Sequence, residues 1–122
     1  MLTSLFLVSV AQAVPPVLSV SAASPGTRCP TLYVGQVDRA TPGGDVAFVS
    51  GVAGGRAQIP NGMACGGTVL SVGNPVLRLV QGTDPYTGST TARSNVPAAG
   101  CGLAVQALDL RTCTVSNVEI IQ

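Results

Sequence analysis

Histidine, lysine and tryptophan are all absent from this chain, and charge of either sign is scarce. Without histidine the usual general base and the commonest metal ligand are missing. Five carboxylates remain, Asp38, Asp45, Asp84, Asp109 and Glu119, each isolated in sequence. No local acid-base pair or nucleophile motif is present, so the chain reads as a non-enzyme with no cofactor. The six cations are all arginine and stand singly, with a net charge of +1. A phosphate-neutralising patch is therefore not indicated, and nucleic acid is not an expected partner. Charged residues make up 9% and aromatics 3% of the chain, against about 25% charged in an average soluble domain. So few charges leave a free monomer's surface poorly solvated, and neighbouring subunits are expected to cover part of it.

What is present is small and apolar. The 122 residues are 46% hydrophobic, with 15 glycines and 9 prolines. That length forms one ordinary domain, and its Val, Leu and Ile content is too high for a disordered chain. Short β-prone runs are punctuated by turn residues: 17–21, 31–37, 45–50, 67–72, 76–81, 102–108 and 112–121. Runs 31–37 and 45–50 are expected to form a hairpin across Pro42-Gly43-Gly44, and 67–72 with 76–81 a second across Gly73-Asn74-Pro75. A third is expected to turn near 109–111. Asn61-Gly62 marks a tight turn, and Arg78 should point outward or meet an acid. Residues 82–100 read as the longest polar loop. No stretch keeps a helical period free of Gly and Pro, and no repeat of 20 to 50 residues occurs. The glycine pairs lack the remaining residues of a phosphate loop and are read as turns. The expected fold is all-β, an antiparallel β-sandwich or small barrel with an extended N-terminal arm.

The arm is assigned to residues 1–24 and the β domain to 25–122. Residues 1–13 carry a short apolar run and an Ala-Gln-Ala sequence resembling a signal-peptidase site, yet the first charged side chain is Arg28. The run is too short to span a bilayer, so no membrane span is expected. Two readings follow: a retained arm that docks on a neighbour, which is preferred, or a secretory signal. As an arm, Leu5, Phe6, Leu7, Val8 and Val10 are candidate subunit contacts, able to add a strand to a neighbour's sheet or to form the first strand of their own. The long loop around Asp84, Tyr86 and Arg93 is a second candidate contact, because Tyr and Arg are enriched at interfaces.

Cys29, Cys65, Cys101 and Cys113 form an even set whose spacing matches no zinc motif. Disulfides are the preferred reading, ahead of buried thiols or a four-thiolate zinc site. Cys101 with Cys113 is the most local pair. In broad character, an apolar arm over Leu2 to Val20 followed by a compact body turned by Gly and Pro resembles the small all-β capsid decoration proteins of tailed bacteriophages. The resemblance is architectural, without a diagnostic motif, and transfers no functional residue. It implies a structural subunit of a virion that binds other copies of itself and a major structural protein of the same assembly. The alternative is a secreted subunit of a pilus or extracellular filament assembled by donor strands.

Overall fold

The computed structural model describes residues 15–22, 32–95 and 101–121. Among these residues there is no helix; ten strands form three antiparallel sheets. A three-stranded sheet has the order β1 (Val17–Ala22), β2 (Leu32–Asp38), β7 (Thr90–Asn95). A five-stranded sheet has the order β10 (Glu119–Ile120), β8 (Ala104–Asp109), β3 (Asp45–Val52), β6 (Gly73–Gly82), with β9 (Thr114–Val115) also on β8. The third is a small hairpin of β4 (Ala57–Gln58) and β5 (Val69–Leu70). The all-β antiparallel fold is thus as expected.

Period-two alternation sets the faces of the first sheet. In β1 Leu18 is buried while Val17, Ser19 and Ser21 are exposed. Register carries that face across the sheet, with Leu18 opposite Val37 and Gly35 opposite Ala92. The buried row meets Val46 and Phe48 of β3 and Ala107 of β8, and these side chains form the main core between two facing sheets. Gly35 is needed there: a Cβ at that position would stand 3.2 Å from the Phe48 ring.

Strand β3 is buried on both faces, with only its end residues Asp45 and Val52 exposed. Its second face, through Val49, joins Leu70, Val72 and Ala104 in another cluster beneath the β4–β5 hairpin. The five-stranded sheet is therefore the middle layer, with the hairpin covering part of its outer face. Gln106, 2% exposed, ties these layers together: its Nε2 donates to the Ser116 carbonyl (2.8 Å) and its Oε1 accepts from the Ser71 N–H (2.8 Å). Buried amides of this kind are retained because both ends are satisfied.

Several sequence expectations are corrected. The hairpin between 31–37 and 45–50 does not form, because β2 pairs with β1 and β7 while β3 pairs with β6 and β8, in different sheets. Residues 69–70 and 76–81 do not pair either; β6 begins at Gly73 and runs through Asn74 and Pro75 along β3. The polar stretch 82–100 is not one loop, since residues 90–95 are β7. Residues 17–22, assigned to the arm, are the first strand of the body. The hairpin turning at 109–111 does form, between β8 and β9. Gly62 has φ of +97°, consistent with the tight turn expected at Asn61-Gly62.

A candidate assembly surface

Strand β6 is the most exposed regular element of the described residues. Among the described residues its ten residues, GNPVLRLVQG, pair only with β3, so its other edge has no described strand beside it. Val76, Leu77 and Val80 on this strand are about half exposed. A register shift lies between its pairs Phe48–Leu79 and Val49–Leu77, which leaves Arg78 without a direct partner across the ladder. Arg78 is exposed, and its Nε donates to Ser50 Oγ at 2.6 Å. It is thus exposed yet meets the hydroxyl of a buried serine, not an acid.

Beside β6 lies an apolar groove of about 550 Å³. Its floor is the outer face of the middle sheet, including Val49, Leu77, Val80 and Leu108, and its opposite wall is the segment after β4, with Ile59 and Met63. Met63 is 63% and Leu77 59% exposed, so this wall and this edge present one contiguous apolar patch. The wall is anchored covalently. Cys65 is bonded to Cys113, with the Cα atoms 5.3 Å apart, which fastens the β4–β5 loop to the turn after β8. The expected local pair of Cys101 with Cys113 is therefore overturned: Cys113 reaches across space to a loop 48 residues earlier. Cys101 is itself disulfide-bonded, and Cys29 lies outside the described residues.

The remaining edges are occupied or polar. At β1 the Asn117 side chain acts as a surrogate strand, its Nδ2 donating to the Leu18 carbonyl (3.0 Å) and its Oδ1 accepting from the Leu18 N–H (2.8 Å). The outward side chains of β7 include Thr91 and Arg93. Strand β10 has two residues. Charged, short or capped edges of these kinds resist pairing with another chain, whereas a long apolar edge invites it.

Of the contacts expected from sequence, Leu5, Phe6, Leu7, Val8 and Val10 lie outside the described residues. Asp84 and Tyr86 share a turn and Arg93 lies apart from it, on the exposed face of β7, which corrects its placement in a loop. Asp84 is a structural residue of that turn. Its Oδ1 accepts from the N–H groups of Tyr86 (2.8 Å) and Thr87 (3.0 Å), and these bonds hold its carboxyl below the usual carboxylate range. Tyr86 is 89% exposed. In the sequence, residues 76–81 register only as a strand, and nothing local says that this strand ends a sheet beside a groove.

Asp109 is the other perturbed carboxylate. Burial raises its pKa, but hydrogen bonds outweigh this and leave it lowered. Its Oδ2 accepts from Thr41 N–H and Oγ1, both at 2.8 Å, and its Oδ1 from the N–H groups of Arg111 (2.9 Å) and Thr112 (3.3 Å). Both perturbed carboxylates are thus committed to turn backbone. Among the described residues no three Cys, Asp or Glu side chains gather where a metal ion could be held, and no helix is long and apolar enough to cross a membrane. Comparison with known proteins finds no matching family model, no matching curated protein and no matching solved structure.

Proposed function

We propose that this chain is a non-catalytic structural subunit that reinforces a large assembly, a virion shell being the setting implied by its likeness to capsid decoration proteins. The observation that carries the reading is the apolar patch formed by the β6 edge and its groove, in a chain with too few charges to keep such a patch solvated. The Cys65–Cys113 bond adds support, since disulfides persist in oxidising surroundings such as particle surfaces and secreted filaments. Reinforcement follows from mass action: many copies that bind the assembled state, and not the dissociated one, stabilise it without turnover of any substrate. Exposed Tyr86 and Arg93 are secondary contact candidates on this reading. The test compares complete particles with particles lacking the protein. The complete ones should resist a higher temperature or internal pressure. Equal robustness would refute the reading and favour an adhesive or receptor-binding role.

A further inference from the structure

We infer that the β6 edge and its groove accept the apolar segment Leu5–Val10 of a second copy of this chain, joining copies head to tail. The inference rests on the structural-subunit reading and names the partner of its surface. Three observations carry it. The first is the acceptor itself: among the described strands β6 combines length, an open edge and exposed apolar side chains, while β1 is capped by Asn117 and β10 is short. A strand added there would gain main-chain hydrogen bonds from the edge and extend the apolar floor of the groove.

The second is the chemistry of the occupant. No charged side chain precedes Arg28, and Leu5-Phe6-Leu7-Val8-Ser9-Val10 is apolar on both rows of a strand, Phe6, Val8 and Val10 on one and Leu5, Leu7 and Ser9 on the other. A strand beside β6 needs that, because one row would face the groove and the other the side where β6 meets β7. The third is reach. Strand β1 lies against β10, and β7 against β6, so the position beyond β6 is about three to four strand spacings and one sheet spacing from β1. That is roughly 17–22 Å in a straight line. Val10 is five residues before Pro15, and five extended residues span at most about 17 Å, no more than the shorter end of that distance. So short a tether favours a groove on a neighbouring copy over the chain's own. Such an interface is heterologous, and it closes a ring or continues as a filament.

The experiment mixes two full-length variants. Leu7→Asp/Val8→Asp disables the donor, and Leu77→Asp/Val80→Asp disables the acceptor at positions already about half exposed. Circular dichroism verifies that both keep the wild-type β spectrum, and analytical ultracentrifugation reads assembly. Wild-type protein should form oligomers. Each variant alone should be monomeric, because a buried unpaired carboxylate weakens the contact by at least about 100-fold. The equimolar mixture should form dimers and nothing larger, since one intact donor meets one intact acceptor. Monomeric wild type, an unassociated mixture, or oligomers that survive Leu7→Asp/Val8→Asp would overturn the inference. In the last case the edge pairs with a different strand. The particle comparison above still judges the structural role independently.

Discussion

Removing the Asp109 carboxylate should unfasten the corner where β8 ends. It lies at the end of β8, 3% exposed, and accepts four hydrogen bonds from Thr41, Arg111 and Thr112. Thr41 is in turn held by Thr83, whose Oγ1 donates to the Thr41 carbonyl at 2.7 Å. Asp109→Asn replaces one oxygen by an amide that must face existing N–H donors. Hydrogen bonds to a charged group are each worth about 1.5–3 kcal/mol, non-additively, and unsatisfied buried donors add cost, so the asparagine variant should lose about 2–3 kcal/mol and Asp109→Ala about 3–4. In a domain of this size that lowers Tm by about 10 °C. The measurement is urea unfolding at pH 7 followed by circular dichroism. The pH dependence gives a second reading. Because the folded pKa is lowered, the carboxylate's contribution is complete above its unfolded value of about 3.9 and is lost as pH falls through the folded value. Wild-type stability should fall more steeply than that of Asp109→Asn below about pH 4. A variant within about 0.5 kcal/mol of wild type that keeps the wild-type acid slope would refute the reasoning.

Three further outcomes follow from the same geometry. Cys65→Ser/Cys113→Ser should cost about 4 kcal/mol by loop entropy for a separation of 48 residues, read as a lower urea midpoint; a change below about 1 kcal/mol would show that the β4–β5 wall is held without the bond. Asn117→Ala should cost about 1–2 kcal/mol and speed hydrogen exchange at the Leu18 amide, whereas unchanged exchange would remove Asn117 from its role as edge cap. Gly88→Ala should destabilise by about 2–4 kcal/mol, since φ is +73° and the added methyl would collide with the Ala40 carbonyl; a neutral thermal melt would contradict that backbone geometry.

The strands were legible where side-chain alternation or β-branched content marks them, as in β1, β2, β3 and β8. Strand β7 was not, because Thr-Thr-Ala-Arg-Ser-Asn presents only small or polar side chains. Its inward row of Thr90, Ala92 and Ser94 packs because the facing sheet comes close, not because the residues are apolar. The strand pairings are not legible for a related reason. Pro42-Gly43-Gly44 carries the chain from one sheet to the other, and Gly73-Asn74-Pro75 belongs to β6 itself, so neither segment is a hairpin turn between adjacent runs.

Composition and local pattern by themselves determined an all-β chain of short antiparallel strands, poor in charge and without histidine chemistry, because backbone preference and period-two burial act over a few residues. Tertiary structure alone decided that β3 is buried on both faces, that Cys113 bonds to Cys65, that Gln106 and Asp109 bind separate segments together, and that β6 is left as the open apolar edge. Each of these depends on which segments meet across tens of residues. Spacing along the chain carries no record of that, because the gain comes from burying surfaces that become neighbours only when the sheets stack.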